Sequence, residues 1–121
     1  MDRIVEKLKA LGEENRYRIA LMLLERPLCV CEILEVLDIA GGTLSGHLKV
    51  LVASGLVSGK KNGKWVEYFL AGPEASALVS RTKDFLSDPQ AYEKDLVTIR
   101  TLDKYSCSLK VRKSEYSQMP L

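Results

Sequence analysis

A chain of 121 residues has room for one domain around a single core, and at that size a second copy of itself is a natural source of further burial. With 46% hydrophobic and 28% charged residues it reads as globular rather than disordered, and no run approaches the roughly 18 apolar residues of a membrane span. A net charge of +2 is too small to identify a nucleic-acid partner, so the distribution of charge must carry that question, and three cysteines spaced as CxC plus one distant residue exclude a disulfide framework.

The opening "MDRIVEKLKALGEE" is charged and amphipathic, without a secretory apolar region, so the expected compartment is the cytoplasm, where cysteines stay thiols. Catalytic, metal-binding and plain core roles are all open to them. Asp2 is placed to cap a first helix whose Ile4, Val5, Leu8 and Leu11 share one stripe, ended by Gly12. Residues 13–25 repeat the pattern with Tyr17, Ala20, Leu21 and Leu24, and Pro27 stops them. Val30, Ile33, Leu34 and Leu37 predict a third helix beginning near the cysteines and ending about Asp38-Ile39. A turn is expected at Ala40-Gly41-Gly42, then a fourth helix with Leu44, Leu48, Leu51 and Val52 on its core face and Gly55 as its stop.

Two strand-like runs follow, joined at Asn62-Gly63, with Lys60, Lys61 and Lys64 clustered at the tip. Pro73 opens a helix carrying Leu78, Val79, Thr82, Phe85 and Leu86, and Asp88-Pro89 opens a last one carrying Tyr92, Leu96 and Ile99. Periodicity is lost from about Tyr105. The expected organisation is therefore one domain over 1–104 and a flexible tail over 105–121.

A helix, tight turn and helix followed by a lysine-tipped hairpin predicts a mainly α fold with a small β-hairpin wing, the winged helix-turn-helix. In that fold the second helix enters the major groove of double-stranded DNA and the wing reaches the flanking backbone. Thr43, Ser45 and His47 are candidates for bonds to bases or phosphates; Lys49, Lys60, Lys61 and Lys64, with help from Arg16 and Arg18, are candidates for neutralising phosphate. Each piece also has a plainer reading, the hairpin as a solvated turn and His47 as a packing histidine. Gly46 is an oddity, since it costs about 1 kcal/mol against alanine inside a helix and offers nothing for readout. No nucleophile–base constellation or glycine-rich phosphate loop points to an enzyme. A winged helix used only for protein contacts is the more serious rival.

With these residues assembled, the chain resembles the ArsR/SmtB family of metal- and metalloid-responsive bacterial repressors over roughly residues 3–72. The family's "ELCVCDL" frame stands here as Leu28 to Leu34, and its "SxHLxxLxxxGLV" run as Ser45-Gly46-His47-Leu48 through Gly55-Leu56-Val57. The resemblance implies a cytoplasmic homodimer of the arsenical-resistance type, without a catalytic cofactor or a membrane partner, that leaves its operator when an ion binds the CxC pair. Thiolates prefer soft ions, and the partial positive charge of a helix N-terminus favours the thiolate. Residues two apart point about 200° from one another on a regular helix, so Cys29 and Cys31 can share an ion only if the first turn unwinds or Cys29 precedes it.

Leu34 stands where arsenic sensors of the family often carry a third cysteine. Trivalent arsenic usually takes three thiolates, so Cys107, of the same or the partner chain, is the candidate third ligand, and arsenite or antimonite the expected inducer. Cadmium and lead sensors add cysteines upstream, and none precedes Cys29; the zinc sensors' Asp, His and Glu set is not expected where the single histidine is His47. Two other uses of the thiols stay open: small buried apolar side chains, or a redox or persulfide sensor that bridges to Cys107.

Overall fold

The computed structural model describes residues 3–102. Asp2, Cys107, the boundary at 104 and the tail expected over 105–121 lie outside the described residues. Among the described residues six α-helices, one 3₁₀ turn and three strands follow in the order α1 (Arg3–Leu11), α2 (Glu14–Glu25), β1 (Leu28–Cys29), α3 (Val30–Val36), α4 (Gly41–Ala53), β2 (Val57–Asn62), β3 (Trp65–Leu70), α5 (Pro73–Thr82), the 3₁₀ turn (Lys83–Phe85) and α6 (Pro89–Arg100).

Helix α2 is the centre of the molecule. Its residues Ile19 through Leu23 are all buried, and α1, α4, α5, α6 and β3 pack around it. Glu13 caps it by accepting the Arg16 backbone N–H at 2.9 Å. It ends because Pro27 forces Arg26 out of helical geometry, to φ −171° and ψ 166°. That extended exit lets the next two residues become a strand. The chain then turns through 112° between α3 and α4, within the range of about 90–120° typical of a helix-turn-helix.

Three local expectations are corrected by the structure. The turn into the fourth helix falls on residues 37–40, and Gly41 and Gly42 already belong to α4, whose cap is Ala40. The hairpin turn is centred on Gly63-Lys64 rather than on Asn62-Gly63, because Asn62 still pairs with Trp65. Only Gly63 of the two has a positive φ, +63°, the pattern of a II′ turn with glycine first. Finally, the wing is part of a three-stranded antiparallel sheet in the order β1-β3-β2, since Leu28 pairs with Tyr68 and Cys29 with Glu67.

The wing is thereby fastened to the segment that carries the first thiol. Alternation along β3 sends Val66 and Tyr68 into the main core and Trp65 to the other side. Among the described residues no single helix is long and apolar enough to cross a membrane.

Candidate nucleic-acid interface and thiol pair

Helix α4 buries Leu44, Leu48 and Leu51 and holds Thr43, Gly46, Lys49 and Val50 outward. Thr43 and Lys49 are therefore available to a ligand in front of the helix. Ser45 is not, being only 8% exposed beside the core stripe. His47 is mostly covered too: its Nδ1 lies 3.4 Å from Arg16 Nη1 and 3.7 Å from Glu13 Oε2, which ties α4 to the N-terminus of α2. Burial pushes the Glu13 carboxyl up, but backbone N–H bonds from Arg16 and Asn15 and the charges of His47 and Arg16 outweigh it and hold the group below its ordinary range.

The two arginines expected to help have internal partners. Arg16 Nε donates to the Ala10 carbonyl at 2.7 Å, and Arg18 makes a two-pronged bond to buried Asp95 at 2.9 and 3.0 Å. Lys60, Lys61 and Lys64 are exposed at the wing tip as expected, and Lys64 Nζ stands 5.2 Å over the Trp65 ring. Thr43 and Lys49 on α4 and Lys60, Lys61 and Lys64 on the wing are thus the exposed polar groups among the expected DNA contacts.

The second candidate site is the cysteine pair. Cys29 and Cys31 are both 0% exposed and form, with Trp65 at 6%, a cluster separate from the main core. Cys29 precedes α3 as its cap, with extended φ −86° and ψ 162°. The obstacle of two thiols on opposite sides of one helix therefore does not arise. Cys29 and Glu32 form a reciprocal capping box, in which Glu32 Oε1 accepts the Cys29 N–H at 2.9 Å. Glu32 is itself only 2% exposed, and its Oε2 accepts from Arg26 Nη2 at 2.7 Å.

Glu32 and Arg26 were not among the residues the sequence singled out. The available sign was the glutamate three places after Cys29, the spacing of a capping box, hidden because cysteine is an unusual cap. As reduced thiolates, Cys29 and Cys31 would suit a soft ion in chemistry, but they are two donors. Among the described residues no three His, Cys, Asp or Glu side chains converge as a metal site, and Cys107 lies outside them. Cys31 is disulfide-bonded in this structure, which corrects the expectation that all the cysteines stay thiols.

Fold and site together define a winged-helix DNA-binding regulator. Residues 13–58 match the family described as bacterial regulatory protein, arsR family. Over 105 residues the chain is 35% identical to the arsenical resistance operon repressor of Escherichia coli, covering 86% of this chain and 88% of that protein. Over 79 residues it is 34% identical to a CadC homologue, a cadmium resistance transcriptional regulatory protein of Staphylococcus aureus, covering 64% and 65%. The structure of reduced HlyU from Vibrio cholerae superposes with a TM-score of 0.65 at 33% identity, over 70% of this chain and 90% of that one. The chain belongs to the arsR family, and is a DNA-binding transcriptional repressor rather than an enzyme.

Proposed function

We propose that this repressor acts in the cytoplasm as a homodimer on a palindromic operator of its own operon and is released when arsenite or antimonite is held by Cys29 and Cys31, with Cys107 as the third thiolate. The observation that carries this reading is the shared burial of the Cys29 and Cys31 side chains at the junction of β1, α3 and the wing strand β3. An ion bound there would touch the wing strand β3 directly, and α3, which the turn at residues 37–40 joins to α4. Thr43 and Lys49 on α4, and Lys60, Lys61 and Lys64 on the wing, supply the contacts to DNA, with Ser45 and His47 supporting α4 from behind.

The dimer reading rests on apolar surface left uncovered on α1 and α6, where Ile4 is 41%, Leu8 51% and Val97 54% exposed. These are positions that a second copy would bury. The likeness to the arsenical repressor of Escherichia coli favours a metalloid over cadmium or lead, because it spans most of both chains.

A second reading is favoured by the disulfide at Cys31: the thiols respond to an oxidant or persulfide, and the bridged form is the one that lets go. Fluorescence anisotropy of the reduced protein on its upstream DNA separates the two, with arsenite, antimonite, cadmium, lead, zinc and a mild oxidant added in turn. Release by arsenite or antimonite alone, abolished in Cys31→Ser, is the expected result. Release of Cys31→Ser by arsenite overturns the metalloid assignment, and release by the oxidant alone transfers it to the redox reading.

A further inference from the structure

We propose that Glu32 and Arg26 are the positioning residues of the cysteine pair: they hold Cys29 outside the helix, so that the two cysteine side chains lie in one cluster, and they join that geometry to the last turn of α6. The proposal rests on the metalloid reading for the identity of the ligand, but not for the geometry.

A carboxylate 2% exposed is costly to keep charged unless it is fully bonded. Glu32 spends one oxygen on the Cys29 backbone N–H at 2.9 Å and the other on Arg26 at 2.7 Å. A neutral glutamine would cap Cys29 at lower desolvation cost, so the charge is accounted for by Arg26 rather than by the cap. Arg26 Nη2, in turn, also donates to the carbonyl oxygens of Ile99 at 2.9 Å and Leu102 at 3.1 Å. Ile99 lies in the last turn of α6, where its carbonyl also accepts the Leu102 N–H at 3.3 Å, and Leu102 lies two residues past the end of the helix.

One nitrogen thus serves the cap of α3 and the C-terminal end of α6 together. With two hydrogens for three acceptors, it shares at least one of them between acceptors. A shift of the Cys29 amide on ligand binding moves Glu32, changes how Arg26 divides its donors, and is felt at residues 99–102. The thiol corner and the helix on which exposed Val97 sits are then coupled through two side chains, independently of α4.

The test uses the reduced full-length protein with arsenite as the probe. In Glu32→Ala, and more mildly in Glu32→Gln, arsenite affinity is expected to fall about tenfold or more while DNA affinity without arsenite stays within about threefold. In Arg26→Gln, arsenite still binds, but the change in amide hydrogen exchange that it produces at residues 99–102 of the wild type is absent. A purely structural role would lower both affinities together and would leave the exchange response of whatever binds intact. That result overturns the proposal.

Alkylation of Cys29 and Cys31 by iodoacetamide, mapped by mass spectrometry, decides the geometry without any inducer. Glu32→Ala should shift the ratio of the two labelling rates at least fivefold. An unchanged ratio overturns the positioning role. A shifted ratio in a protein whose wild type ignores arsenite keeps the positioning role and removes the metalloid reading.

Discussion

The thiol corner and the wing tip are joined by one strand, β3, yet they are built on opposite principles. At the corner, Leu28, Cys29, Val30 and Cys31 are each 0% exposed and the charge of Glu32 is bonded on both oxygens. Elements from both halves of the chain, β3 and α6 among them, close over it. At the tip, Asn62, Gly63 and Lys64 are exposed and their conformation is set by a single glycine in a two-residue turn. The corner is therefore costly to alter and specific in shape, whereas the tip is cheap to alter and acts through charge. The two serve different ends: a buried corner that holds one geometry, and an exposed surface whose attraction to DNA scales with the number of charges it presents.

Substitutions should separate the two regions by the size of their effect on stability. Leu28→Ala at the corner removes a fully buried side chain and is expected to cost about 3 kcal/mol in urea denaturation; a loss under about 1 kcal/mol would mean that the strand is not held as described. Gly63→Ala at the tip forces a side chain into a positive φ and should cost about 1–2 kcal/mol although no described atom lies within 4 Å of the added carbon.

Gly46→Ala on the outer face of α4 meets open space in the same way, but at helical φ, and should raise stability by about 1 kcal/mol. If it also weakens DNA binding, the groove approaches that point closely enough to require a glycine. Replacing Lys60, Lys61 and Lys64 together by alanine should move stability by no more than about 0.5 kcal/mol. The dependence of log affinity for DNA on log salt should flatten by about 0.9 for each phosphate that the wing no longer neutralises, and an unchanged slope would take the wing off the DNA.

The helices were legible because their apolar spacing is regular and their stops are glycines and prolines. Leu44, Leu48 and Leu51 are buried as one face, and Pro73 and Asp88-Pro89 open helices where expected. What sequence could not convey is whatever depends on partners distant along the chain. Leu28-Cys29 becomes a strand only because β3 is there to pair with it, and two residues carry no period to read. Ser45 and His47 lie on the flanks of a helical wheel, and His47 is covered by Glu13 and Arg16 at the start of α2, which the wheel does not show. Arg16 and Arg18 read as surplus positive charge until Ala10 and Asp95 are placed beside them. The arginine at the end of α2 gave no hint of its reach to Ile99 and Leu102, more than 70 positions away.

Tyr68 is fully buried opposite Leu28, and its hydroxyl has no hydrogen-bond partner among the described residues; burial raises its pKa far beyond the ordinary tyrosine value. The pairing that puts it there also bears on how this stretch of chain can vary in length. Leu28 faces the core with Tyr68, and Cys29 faces the other way with Trp65, an alternation with a period of two. A single residue inserted or deleted between Pro27 and Val30 would reverse every facing at once, sending a cysteine into the core and a leucine to the side of Trp65. The turn at Gly63-Lys64 carries no such constraint, so extra residues are tolerable at the wing tip and intolerable at the foot of α3.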